Sequence, residues 1–215
     1  MKKISRAEIL KMDKVPRLNL INSVTGYKSA NLIGSCSADG IENVAIFSSV
    51  THLGSEPPLV GFILRPTTVP RDTYKNIKET DFFTINHITE SMIADAHHTS
   101  ANYEQGISEF AETNLTAEYK ASYKCPFVKD SPVQLLCKYV NEYYLKENGC
   151  LHIIASIEAI YVEEELIQKD NWLQLDKGNI IAINGLDGYA LPKLIDRFEY
   201  ARPKQKSKSM VKHGA

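Results

Sequence analysis

Residues 31–86 constrain this chain more than any other stretch. They hold three apolar runs joined by short turns, and then a loop in which arginines, threonines and an asparagine gather where a helix should begin. Asp39-Gly40 lies between the first two runs. An Asp-Gly link supplies the positive φ angles of a tight two-residue hairpin, so the flanking runs should pair antiparallel. Gly54-Ser55-Glu56-Pro57-Pro58 then interrupts regular structure, because prolines remove ladder donors and push their neighbours into extended conformations. The third run, Leu59-Val60-Gly61-Phe62-Ile63-Leu64, is apolar on both faces, the pattern of a barrel wall or a central sheet strand.

After it comes Arg65-Pro66-Thr67-Thr68-Val69-Pro70-Arg71-Asp72-Thr73-Tyr74-Lys75-Asn76-Ile77. Asp72 or Thr73 is a candidate N-cap for a helix that turns Ile77 inward. Free first-turn amides, hydroxyls and guanidinium groups together attract a phosphate dianion. The same composition also reads as an arginine-capped surface loop that binds nothing, and spacing does not separate the two. Ser48-Ser49-Val50-Thr51 is a run of small residues at a strand end. Such residues let a flat ligand approach the backbone, although a strand fraying into a polar loop has the same appearance.

Elsewhere the signals are more local. Ser5 and Glu8 form a capping box for a short helix over 5–11. Leu18-Asn19-Leu20-Ile21-Asn22-Ser23 reads as extended. The density of aromatic and β-branched residues predicts a strand over 82–88; Asn86 and His87 fall on its opposite faces. Met92, Ile93 and Ala96 recur at helical spacing. The adjacent His97 and His98 point about 100° apart on a helix and do not form the i, i+4 pair of helical zinc sites, so no metal is expected. Residues 99–129 are polar and rich in turns, a length typical of lids or interface segments. Alternating residues in 133–140 and 150–162, with Glu147-Asn148-Gly149 between, predict a second long hairpin. Glu163-Glu164-Glu165 reads as a solvated turn, 179–184 as a further strand or a segment packing on a second subunit, and Leu194, Ile195 and Phe198 as a brief helical turn.

With 215 residues, one domain over 1–203 accounts for the chain and buries about 70% of its unfolded surface. The basic, apolar-poor segment 204–215 is expected to be a disordered tail. Lysine and arginine total 25 against 26 acidic residues, so no global field draws the protein to nucleic acid or to acidic membranes. The four cysteines, Cys36, Cys125, Cys137 and Cys150, form no C-x-x-C pair. With no secretory leader and no apolar run of spanning length, they point to reduced thiols in a cytoplasmic protein. No G-x-G-x-x-G occurs, which disfavours a Rossmann nucleotide fold.

NVAIFSSVTHLGSEPPLVGFILRP, then RDTYKNIKETDFFTIN, then AHHTSANYEQGISEF resemble the flavin reductase-like family of FMN-binding split barrels, which includes flavin reductases and flavoredoxin. The likeness runs from Arg17 to Pro203. It implies a mainly β fold with short helices (α+β), a six-stranded Greek-key split barrel that forms a homodimer with FMN near the interface. Carried over by residue, Ser48, Ser49, Val50 and Thr51 would line the isoalloxazine edge through backbone groups. Arg65, Thr68, Thr73 and Asn76 would surround the ribityl phosphate, Thr99 and Ser100 would close over it, and His97 would contact the ring. The implied activity is NAD(P)H-dependent flavin reduction, with a small molecule or protein as electron acceptor. A non-enzymatic FMN electron carrier resembling flavoredoxin is the alternative. The hard chemistry would then lie in the cofactor, and no catalytic side chain is demanded.

Overall fold

The computed structural model describes residues 1–104 and 106–211. The capping box forms as read: Ser5 Oγ accepts from the Glu8 amide and Glu8 Oε2 accepts from the Ser5 amide at 2.7 Å, opening α1 (Arg6–Lys11). The segment read as extended is instead helical, α2 (Lys14–Ser23). Its Leu-x-Leu spacing imitates a strand, but Asn22 Nδ2 and Ser23 Oγ donate to the carbonyls of Leu18 and Asn19 four residues back, and neither helix buries a residue.

The strands follow as β1 (Lys28–Ser29), β2 (Asn31–Cys36), β3 (Glu42–Phe47), β4 (Thr51–Ser55) and β5 (Pro58–Leu64). Next come α3 (Asp72–Thr80), β6 (Phe82–His87) and α4 (Ile93–His98). Two short strands, β7 (Ala117–Glu118) and β8 (Phe127–Val128), precede the long hairpin β9 (Val133–Leu145) and β10 (Cys150–Val162), and the chain continues through β11 (Ala182–Asn184) and β12 (Gly188–Ala190). The β2–β3 hairpin is antiparallel as expected, with Cys36 opposite Glu42. Its turn is longer than the two residues expected: Ser37 Oγ takes the Ile41 amide, and only Gly40, at φ 90°, is left-handed.

Seven strands pair antiparallel in the order β3-β2-β6-β9-β10-β5-β4. The ends of this order are consecutive in sequence: β3 stops at Phe47 and β4 starts at Thr51. So short a link reaches at most about 14 Å, and the two sheet edges must therefore adjoin in a closed barrel. Counted as one bent strand, β3 and β4 restore the six strands expected. Ser49 makes the join, its hydroxyl donating to the Ile63 carbonyl at 3.2 Å and accepting from the Ile63 amide at 3.0 Å. Since Thr51 pairs with Gly61, Ser49 stands where the ladder would next meet Ile63, and its side chain completes the pairing as the backbone bends away.

The interior confirms closure, because Ile33, Phe62, Leu64, Phe83, Ile85, Cys137, Ile153 and Ala155 from five strands meet in one cluster with Ile77 of α3. Phe62 packs edge-on against Phe47 and Phe83, with ring centroids 5.1 and 5.7 Å apart. A second cluster, which includes Leu32, Val44, Ile88, Ala96, Phe110 and Ile183, covers the outside of the β3-β2-β6 wall. Both faces of β2 are therefore buried, and Gly34 is required there: a Cβ would lie 2.2 Å from the Pro126 carbonyl oxygen. The face of Asn86, open in the sequence, is the outer one. Its amide group donates to the Leu32 carbonyl and to Thr84 Oγ1 and accepts from the Val128 amide.

The predicted helical turn near Leu194–Phe198 does not form. That segment has no regular structure apart from an isolated bridge between Phe198 and Ser209, and it is strapped to the body, with the Leu194 amide donating to Asp176 and Arg197 lying 4.5 Å from the Trp172 ring centroid while pairing with Asp170. Within the basic tail, the chain returns on itself through the Glu199 amide to the Lys208 carbonyl and the Met210 amide to the Arg197 carbonyl. Residues 212–215 lie outside the described ones. Among the described residues, no helix is long and apolar enough to cross a membrane, and all four cysteines are free.

Candidate functional site

Strand β3 is the wall on which the predicted site residues converge. Its far end runs into Ser48-Ser49-Val50-Thr51, and the Ser49 bonds to Ile63 place this link beside the end of β5, from which Arg65 follows. The Val50 carbonyl is taken by Ser29 Oγ at 3.1 Å, while Val50 itself packs against the barrel core. Thr51 is exposed at the start of β4. The Ser49 hydroxyl is committed to Ile63, which leaves the unpaired main-chain groups of this link to meet a ligand edge.

Helix α3 begins at the next corner. Its N-cap is Arg71, not Asp72 or Thr73, and no side chain caps it. A capping carboxylate or hydroxyl must stand one residue before the first helical turn; Asp72 and Thr73 already have helical geometry and lie inside it. The first-turn amides are therefore left without a side-chain acceptor. Arg65 and Thr68 are exposed on the loop before them. Arg71 is half-buried, and its Nε has no hydrogen-bond partner among the described residues.

Thr73 and Asn76 face the other way. Thr73 Oγ1 accepts from Asn43 Nδ2 at 3.0 Å, and Asn76 Nδ2 donates to Ser35 Oγ at 3.2 Å. Asn43 Nδ2 also approaches Ser35 Oγ at 3.4 Å. All four side chains are buried, so this network fastens α3 to β2 and β3. Buried polar groups must be paired, and here they pair with one another.

The 97–100 segment lies along the outer edge of β3. Thr99 is buried; its hydroxyl accepts from the Ile46 amide at 3.0 Å and donates to the Ala96 carbonyl, closing the end of α4. Ser100 is exposed and its amide donates to the His97 carbonyl. His97 is exposed too, with Nδ1 3.0 Å from the Tyr189 hydroxyl and the two rings edge to face. The structure thus brings 48–51, 65–76 and 97–100 around one strand, but it turns Thr73, Asn76 and Thr99 toward protein partners.

Sequence reasoning missed Ser35 and Asn43, and it met Glu109 only within the AHHTSANYEQGISEF stretch of the resemblance, without giving it a role of its own. Glu109 is buried, with Oε2 accepting from the Val44 amide at 3.0 Å, and burial pushes its carboxyl above the ordinary range against the pull of that bond. Its signal was a lone acid between serine and phenylalanine in a polar loop, which does not distinguish an inward carboxylate from a solvated one. Among the described residues, no three His, Cys, Asp or Glu side chains converge as metal ligands.

A closed antiparallel barrel with a bent shared strand, and a helix packed on its wall through Asn43 and Ser35, defines a split-barrel protein. The chain belongs to the Flavin reductase like domain family, which matches residues 25–178. It is 40% identical, with a TM-score of 0.90 over 94% of this chain and 100% of the other, to a Shewanella frigidimarina protein described as a flavin reductase with a split barrel domain. The fold is shared with nitrilotriacetate monooxygenase component B from Bacillus cereus, at 22% identity and a TM-score of 0.78 over 93% of this chain and 98% of that one. It is shared as well with flavoredoxin of Desulfovibrio vulgaris (Miyazaki F), at 19% identity and a TM-score of 0.67 over 83% of this chain and 91% of that one.

Proposed function

We propose that this protein binds FMN and acts as an NAD(P)H-dependent flavin reductase, accepting a nicotinamide hydride and passing the electrons to a small molecule or a protein. The observation that carries the reading is the convergence on β3: a small-residue backbone link at Ser48–Thr51, the exposed Arg65 and Thr68, and the uncapped start of α3. Bound FMN would supply the hydride chemistry. The chain supplies placement. Main-chain groups of Ser48, Ser49, Val50 and Thr51 hold the ring edge, and Arg65, Thr68 and the first amides of α3 hold the phosphate dianion. The unpaired Nε of Arg71, the second arginine of the loop, adds a donor for that anion beside the Arg65 that the resemblance implies.

Thr73, Asn76 and Thr99 contribute by fixing α3 and α4 against β3, and Ser100 and His97 border the site at its open side. No acid or base side chain is required, because two stacked rings exchange a hydride by orientation alone. Dimerisation, which the family resemblance implies, belongs to the same proposal, as does residence in the cytoplasm. Titrating the purified protein with FMN and then adding NADH or NADPH without oxygen tests it. Saturable binding followed by bleaching of the flavin band is expected, and a protein that ignores FMN would sink the reading. The carrier reading draws on the likeness to flavoredoxin. Bound flavin that neither nicotinamide reduces, but that a reductase protein does, would favour it.

A further inference from the structure

Strand β3 forms one end of the sheet order, and β2 occupies only one of its sides. Backbone amides along an antiparallel strand alternate between the partner and the open side. On the open side, the Val44 amide meets Glu109 Oε2 at 3.0 Å and the Ile46 amide meets Thr99 Oγ1 at 3.0 Å. Two side chains of one excursion therefore replace a missing neighbour strand, two residues apart. Asp95 Oδ1 ties the ends of that excursion together by accepting from both the backbone and side-chain amides of Asn114, at 3.0 and 3.1 Å. Ser48 is the next position in the alternation, and no acceptor meets its amide among the described residues.

We propose that Glu109 is a positioning residue: by holding the Val44 amide, in series with Thr99 at Ile46, it sets the line along which β3 presents the Ser48 amide to a bound ring edge. The ligand half of this statement rests on the FMN reading above. The role requires reach, not charge. Gln keeps an oxygen acceptor at the same distance along the side chain, whereas Asp keeps the charge and withdraws it by one methylene.

The test compares Glu109→Gln and Glu109→Asp, each checked for folding by circular dichroism. Amide hydrogen exchange of the ligand-free proteins is followed at Val44, Ile46 and Ser48, and FMN affinity by fluorescence quenching. E109Q should keep wild-type exchange and bind FMN within threefold of wild type. E109D should exchange at least tenfold faster at Val44 and lose about tenfold in FMN affinity. The opposite pattern, with E109D normal and E109Q impaired, would make the charge decisive and overturn the proposal. So would faster exchange in E109D with unaltered FMN affinity, which is what a merely structural role predicts. If the wild-type protein ignores FMN, the functional reading falls by itself. Exchange at Ile46, the hydrogen-bonded amide next toward Ser48, then decides: acceleration there in E109D alone upholds the positioning role, and equal rates in all three proteins refute it.

Discussion

The polar residues nominated for the anion site divide into two sets with opposite orientations. Thr73 and Asn76, on the first turns of α3, are buried against Asn43 and Ser35, while Arg65 and Thr68, a few residues earlier, are exposed with no protein partner among the described residues. Both sets have the composition of a phosphate site. Only the exposed set is free to serve as one directly, and the buried set serves by holding the helix still. The same division recurs on β3, where Thr99 and Glu109 are spent on amides and the Ser48 backbone is not.

Measurements that break one set and spare the other sharpen this contrast. The largest effect is expected for Asn76→Ala, which leaves a buried network half-paired and should cost about 3 kcal/mol in urea unfolding. A stable N76A protein that has lost FMN would move Asn76 into the binding set and erase the distinction. Buried groups should also carry the pH dependence of stability. Burial holds His87 down to about 4 from the ordinary 6.5, although the residue keeps some exposed surface. The unfolded chain thus takes up a proton that the folded one refuses. Stability should be full above pH 6.5 and should fall by up to about 3 kcal/mol as the pH drops toward 4. His87→Phe should remove that slope, as Trp172 fluorescence in acid titrations would show.

For the exposed set the effects should appear in binding alone. Arg65→Ala is expected to weaken FMN about tenfold, the loss of one charge-assisted contact, while thermal unfolding stays within about 0.5 kcal/mol of wild type. Thr68→Ala should be smaller, about threefold in FMN affinity by equilibrium dialysis. Equal stability losses in R65A and N76A would show that the two sets are one.

The fold was legible wherever the signal was local. The Ser5–Glu8 capping box, the turn at Gly40, the amphipathic α3 and the long β9–β10 hairpin all follow from spacing within a few residues. The α2 helix was not, because Leu18 and Leu20 satisfy a strand period and a solvent-facing helix leaves no apolar stripe to contradict it. In the site, residue types were legible and orientations were not. Thr73 turns inward for a partner 30 residues away, Asn76 for one 41 away and Glu109 for one 65 away. Such distances are settled only when the barrel closes, and pattern within a window carries no record of them.

The link from Phe47 to Thr51 has one consequence beyond its geometry. The seam of the barrel and the proposed rim of its cofactor are the same few peptide units, so anything seated there rests on the clasp of the drum. Cargo and closure are then reciprocally coupled: a filled protein should resist prying at this seam more than an empty one, and loosening the seam should spill the cargo before the walls give way.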